Sequence, residues 1–422
     1  MVGQRLTLAI LVALSALSQI DRSIISLMVG PISRDLGIDD VQIGLLQGLA
    51  FGLFYAAFGL PFGIAADRWS RRRLIFAGVV IWSLAAAACG LAANFHQLLA
   101  ARFFVGAGEA ALAPAAYSLI SDIFPRRRLA GALAVFGIGA AVGAGVAMGL
   151  GGLLIDLLSV KDVTVPLLGA VRPWQAVFLA TGTPGLILAF LIFLVPEPGR
   201  GARDAAAATW AALGGFLLRR RAVLACHFLG FSLLGMLAYG GGAWIPTLLI
   251  RRYGFTAGQA GSAYGLTMCV TTIVGMLAAG AVLDALIRKG VSDAALRFFT
   301  WTTPMMAVVS IAGCLSPHPA LFLLAVGLAQ IGLCVAGPAS TALQLVTPPE
   351  MRGRVSALFI LTFNLVGFGL GPLLIASLTV YGFRDPKAVN LSVASAYVIL
   401  APLAWLLFRA GLKPMRTAMA DS

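Results

Sequence analysis

Residues 63–73 read GIAADRWSRRR, and residues 280–289 read GAVLDALIRK. Gly63, Asp67, Arg71 and Arg72 of the first align with Gly280, Asp284, Arg288 and Lys289 of the second at a shift of 217 positions. A second match lies further along each half. Pro125, Arg128, Gly143 and Gly145 align with Pro349, Arg352, Gly367 and Gly369 at a shift of 224. Two matches in the same order and at similar shifts indicate a duplicated unit, one copy in each half of the chain. Parallel repeats of this kind build two-bundle membrane proteins with a solute site between the bundles near the midplane.

The residues around both matches are long apolar runs. Of the 422 residues, 60% are hydrophobic and only 11% charged. A soluble chain carries roughly 25% charged residues, so the bilayer must be the solvent for most of this one. Runs of spanning length fall at about 6–29, 41–66, 73–93, 97–122, 128–157 and 173–195, then 221–248, 257–285, 295–315, 319–346, 353–380 and 389–410. The first could pass for a signal peptide, but it is long enough to span and shows no clear cleavage site. The predicted fold is all-α: twelve transmembrane helices in two pseudo-symmetric six-helix bundles. The expected division is a bundle over 1–197, a linker over 198–220, a second bundle over 221–411 and a tail over 412–422. Residues 205–218 within the linker are expected to form a surface helix.

The net charge of +14 does not read as nucleic-acid binding, because the basic residues cluster in loops between spans. With the N-terminus placed inside, 21 Lys and Arg fall in inside segments and seven in outside loops. That bias predicts both termini in the cytoplasm, and the abundance of Arg over Lys with many Ala and Gly residues points to a bacterial source and so to an inner membrane. Cys89, Cys226, Cys269, Cys314 and Cys334 all lie within apolar runs without metal-ligand spacing, so they read as small buried hydrophobes. Three dispersed histidines give a membrane-embedded enzyme nothing to work with. No cofactor or metal is expected, and GAGEA at 106–110 lies inside a span, with no nucleotide-binding context.

The spacing G-x-x-x-D-R-x-x-R-R in residues 63–72 resembles the signature loop of the major facilitator superfamily, with Ser70 where glycine is usual. The second copy departs from it, since Ala285 follows Asp284. A narrower resemblance, to the spinster branch, rests on Asp21-Arg22 in the first span, on RFFVGAGEAALAPAAYSLISDIFP at 102–125 and on the Arg-containing start of the fifth span. It implies export or flipping of lysolipid- or sphingolipid-like amphiphiles, coupled to protons in some members. The fifth span has glycines but lacks the proline of many drug antiporters.

Four strongly ionisable residues lie well inside spans: Asp21, Arg22, Arg102 and Glu109. Each costs a few kcal/mol at the bilayer centre unless paired or hydrated, which makes it a functional candidate by default. Their alternative reading is an ion-pair network that only locks two helices together. Arg102 and Glu109 are seven apart and share a face of the fourth span. Arg22 shares a stripe with Ser15, Ser18 and Ser26, and Asp21 projects about 100° away from it. Glu109 or Asp21 is the expected proton carrier. Arg22 is the expected anion ligand, with Arg102, Ser18, Tyr239, Gln330 and Asn364 as further substrate contacts. Asp67, Arg71, Asp122 and Asp284 are expected to form a cytoplasmic gate.

The expected function is secondary active transport of an amphiphilic, lipid-like solute by a monomer that meets protons and membrane lipids as partners. The rival is a proton-coupled carrier of a polar organic anion or drug. A channel is disfavoured by the repeat and by the lack of carboxylate rings.

Overall fold

The computed structural model describes residues 2–158, 163–165, 169–199 and 210–420. Among these, twelve helices are long and apolar enough to cross a membrane. Spans 1 to 6 are Gly3–Leu27, Asp40–Arg68, Arg71–Cys89, Phe95–Ile123, Arg127–Leu158 and Pro173–Leu194. Spans 7 to 12 are Arg221–Tyr253, Ala257–Arg288, Ala294–Leu315, Pro319–Val346, Arg352–Phe383 and Pro386–Ala420. Large apolar side chains such as Leu150, Ile187, Leu266, Leu277 and Val308 stand exposed around the outside. In water such a belt would drive aggregation; against acyl chains it costs nothing.

Chain chemistry places the helix ends. Asp39 caps span 2 by accepting from the Gln42 backbone at 2.8 Å while the Gln42 side chain reaches back to the Asp39 N–H. Thr256 and Gln259 repeat that box at the start of span 8. The β-structure among the described residues is one hairpin, in which Val163–Val165 pairs antiparallel with Gly169–Val171 between spans 5 and 6.

Two spans break at equivalent places. Span 4 stops its first helix at Glu109 and restarts at Leu112. Span 10 stops at Gly332 and restarts at Ala336. Leu112 and Ala336 are 224 positions apart, the shift read from the repeat. Pro114, just past the first break, has no N–H to give the Ala110 carbonyl, and Pro338 occupies a similar place after the second. Interrupted helices at matching positions of two halves mark the region of a transported solute. Span 11 departs from α-geometry over Asn364–Leu370 and again over Leu378–Phe383, both π-helical. Such wide turns recur at functional sites.

The bundles are tied together at the end remote from the Arg-rich loops. Arg251 donates from both Nη atoms to Asp40, at 2.6 and 2.7 Å. The Thr256 hydroxyl donates to Asp156 at 2.8 Å, and the Thr247 hydroxyl to the Ser26 carbonyl at 2.9 Å. Backbones also meet directly. A Cβ on Gly48 would press on the carbonyl of Gly369, and one on Gly145 on the carbonyl of Gly265. Gly145 and Gly152 of span 5 and Gly261 and Gly265 of span 8 therefore serve close approach between bundles, while Gly139 and Gly143 pack on span 1 of their own bundle.

In the linker, Trp210–Arg219 is helical; residues 205–209 of the expected surface helix lie outside the described residues. Leu213 and Phe216 are buried against the protein. The last helix continues past 411 to Ala420. There Arg416 donates to Asp293 at 2.5 Å, and Arg297 grips the same carboxylate at 2.9 and 3.1 Å.

Candidate solute site

A cavity of about 320 Å³ lies between the bundles. Span 1 contributes Gln19, Arg22, Ser23 and Ser26, which recur at helical spacing and form one face. The opposite wall includes Tyr239, Tyr264 and Gln330, and much of the remaining lining is apolar, with Met148, Met268 and Phe368 among it.

Among the described residues, Arg22 is the cation of this cavity wall. Its guanidinium carbon lies 4.7 Å from the Phe51 ring centroid and 4.8 Å from that of Tyr55. Stacking of this kind holds a guanidinium in a low-dielectric site while leaving its edge available for a forked contact. The Nε donates to Oε2 of Glu109 at 2.5 Å, and Ser18 donates to the same oxygen at 2.6 Å. The Arg22 side chain is 22% exposed and that of Glu109 0%. The cation thus faces the cavity and its carboxylate lies behind it.

Glu109 is the last residue before the break in span 4. Its partner is Arg22 rather than Arg102, although Arg102 lies on its own helix. Arg102 is 1% exposed and donates to two backbone carbonyls, Asp21 at 2.9 Å and Leu46 at 3.3 Å. The Asp21 carboxylate is buried, and neither of its oxygens has a hydrogen-bond partner among the described residues. Glu109 Oε1 and Arg102 Nη2 are likewise buried and unpartnered. Buried polar atoms left unpaired are costly, and natural proteins keep few of them. This cluster holds several.

Of the substrate candidates, Arg22, Tyr239 and Gln330 line the cavity. Ser18 and Arg102 stand behind the wall, and Asn364 opens the first π-helical segment of span 11 without lining the cavity. Gln19, Ser23, Gln47, Phe51 and Tyr55 were not singled out by the sequence. The stripe of 19, 22, 23 and 26 could have been, since it runs beside the serine stripe at 15, 18, 22 and 26.

The gate candidates divide. Arg71 is buried and pairs with Asp122, with Glu197 at 3.0 Å and with the Pro198 carbonyl at 2.7 Å. These contacts join spans 3, 4 and the segment after span 6 within one bundle. Asp67 and Asp284 lie exposed at their helix ends. Glu197 is the residue the sequence reading missed. It accepts from Ser70 at 2.6 Å and from the backbone N–H groups of Arg71 and Arg72 at 3.0 and 3.1 Å. A carboxylate on the first N–H groups of a helix is favourably placed. Burial pushes its carboxyl upward, but the hydrogen bonds from Ser70 and Arg71 and those from the backbone win, leaving it at about 2. The flanking prolines of VPEP at 195–198 were the available signal.

A duplicated six-helix bundle with matched helix breaks around a central cavity defines a two-bundle transporter. The family described as Major Facilitator Superfamily matches residues 11–372, and the chain belongs to it. An MFS-type efflux pump of Mycolicibacterium smegmatis is 26% identical over 94% of this chain and 91% of its own length. Protein spinster homolog 3 of Danio rerio is 26% identical over 90% of this chain and 79% of its own. A solved structure of a bacterial homolog of the human lysosomal transporter spinster, inward-facing and unoccupied, superimposes with a TM-score of 0.80 at 25% identity, covering 98% of both chains. The chain is a spinster-like secondary transporter, and its relatives are transporters rather than enzymes.

Proposed function

We propose that this protein moves an amphiphilic organic anion of lysophospholipid or sphingoid-phosphate type across the bacterial inner membrane by alternating access, with protons as the coupling ion. The observation that carries the reading is the Arg22–Glu109 pair at the wall of a largely apolar cavity. An anionic headgroup arriving at Arg22 competes with Glu109 for the same guanidinium. When Arg22 turns to the substrate, Glu109 loses its counter-ion in a dry setting, and a proton is the available replacement. Asp21, with no partner for either oxygen, is the second carrier.

Both termini are read as cytoplasmic from the basic loops. On that orientation the polar ties of Arg251–Asp40 and Thr256–Asp156 close the outer face, and the cavity belongs to an inward-facing state. Residues 1–197 and 221–411 then act as the two rocking bodies, joined by 198–220. The gate role falls to Arg71 and Asp122, which with Glu197 hold the inner ends of spans 3, 4 and 6 in one rigid group.

A second reading, a carrier of a polar organic anion, is supported by the hydrogen-bonding side chains of the wall facing Arg22. The test is uptake into proteoliposomes of a lysophospholipid, a sphingoid phosphate and a short organic acid, with and without an imposed pH gradient. Saturable flux of the first two that follows the gradient is expected. Flux of the short acid alone would favour the second reading, and gradient-independent flux would remove the proton.

A further inference from the structure

The wall of the cavity supplied by the C-terminal bundle is not simply apolar. Gln330 lies two residues before the break in span 10, the counterpart of the break at Glu109. Its amide bridges the Thr271 hydroxyl at 2.9 Å and the Tyr264 phenol oxygen at 3.0 Å. The Thr271 hydroxyl donates its single proton to the Thr267 carbonyl at 2.7 Å, the shorter contact. Whichever way the amide lies, Nε2 bonds one of the two hydroxyls and keeps a second N–H. Ser310 lines the same cavity and is 5% exposed; its Oγ makes no close hydrogen bond, and the phenol of Tyr397, which also lines the cavity, stands beside it.

A buried hydroxyl without a partner forfeits the hydrogen bonds it had in water. Gln330 offers a donor N–H beside the Tyr264 phenol oxygen, and Ser310 can donate or accept. The group that satisfies such a set is one that both accepts and donates, and a hydroxyl does this with a single oxygen. A bare hydrocarbon tail against this wall would leave the spare N–H of Gln330 and the Ser310 hydroxyl unanswered.

We infer that Tyr264, Gln330 and Ser310 form a hydroxyl-reading subsite, so that the substrate carries an alcohol in addition to the anionic group taken by Arg22. The inference rests on the reading of Arg22 as the anion ligand. It gives a reader for the free hydroxyl that lysophospholipids and sphingoid phosphates share, a lysophosphatidate among them, and disfavours simple fatty acids.

The test compares two ligands of equal tail length, a lysophosphatidate and its deoxy analogue, for binding to the purified protein in nanodiscs. Wild type is expected to prefer the hydroxylated ligand by about tenfold or more, the worth of one or two hydrogen bonds to buried groups. Tyr264→Phe keeps the ring packing and should shrink the ratio. Gln330→Leu should bring it close to one, and Ser310→Ala should reduce it partway. No preference in wild type, or an unchanged preference in Tyr264→Phe and Gln330→Leu, overturns the subsite. Arg22→Ala separates the two ideas, because it should weaken both ligands equally. If neither amphiphile binds wild type, the amphiphile reading falls, and a sugar acid against the unhydroxylated acid of equal chain length puts the same question. A preference there that Gln330→Leu abolishes upholds the subsite, and its absence ends it.

Discussion

Arg22 Nε and Glu109 Oε2 meet at 2.5 Å across two helices, spans 1 and 4 of the same bundle. The bond joins a cation that faces the central cavity to a carboxylate sealed behind it. Whatever draws Arg22 forward exposes Glu109 to a change of charge state, so the two residues act as one unit.

Replacement of Glu109 by Gln keeps the shape and a hydrogen bond to Ser18 while removing the charge. Glu109→Gln should bind substrate and lose the response of transport to an imposed pH gradient. Initial uptake rates in proteoliposomes, with the gradient clamped at several values, measure this. Full wild-type dependence would move the coupling role to Asp21.

Arg22→Ala should weaken an anionic substrate at every pH, by roughly 10- to 100-fold, the usual loss for a charge-assisted contact. Arg22→Lys should recover part of the affinity only. A lysine keeps the charge but lacks the planar fork and stacks poorly between Phe51 and Tyr55. Ligand titration of both variants distinguishes charge from geometry.

Gly48→Ala should bias the protein away from the conformation described here. The added methyl would push against the Gly369 and Phe368 carbonyls, where the bundles touch, and those two contacts are relieved once they part. Arg251→Ala should act in the same direction by removing the bidentate bond to Asp40. Spectroscopic distances across that face should lengthen in both variants, and unchanged distances would show that these contacts do not hold the face shut.

Glu197 gives a pH prediction with a definite sign. Its carboxyl sits at about 2 in the folded protein against an ordinary 4.5. A depressed folded value means its contribution to stability is complete above about 4.5 and is lost as pH falls toward about 2. Glu197→Gln should lower the thermal midpoint at neutral pH, by the equivalent of about 1–2 kcal/mol, and flatten the decline over that acid window. Denaturation in detergent across pH, wild type against variant, is the measurement. Parallel curves would assign the acid sensitivity elsewhere.

The fold was legible because its determinants are local. Length and apolarity define a span within one stretch of chain, and the repeat at Asp67 and Asp284 announces the duplication without any tertiary information. The different bearings of Asp21 and Arg22 follow from the roughly 100° step of a helix, and the structure places Arg22 at the cavity and Asp21 behind it. Pairing across helices is another matter. Seven-residue spacing suggested Arg102 as the neighbour of Glu109, but span 1 lies between them in effect, giving Arg22 to the carboxylate and the Asp21 carbonyl to Arg102. Helix rotation decides such partnerships, and spacing along one helix does not report it. Glu197 escaped notice because its binding site, the N-terminus of span 3, is more than a hundred residues away in sequence.

The clamp of Asp293 by Arg297 and Arg416 reaches into how this protein can be watched at work. It fastens the final turns of span 12 to the loop before span 9, so those turns cannot tumble independently. A fluorophore on the exposed Thr417 should therefore travel with its bundle as a rigid body. Paired with a second on the exposed Arg73 of the other bundle, it makes a molecular calliper whose reading is hinge angle rather than dye wobble.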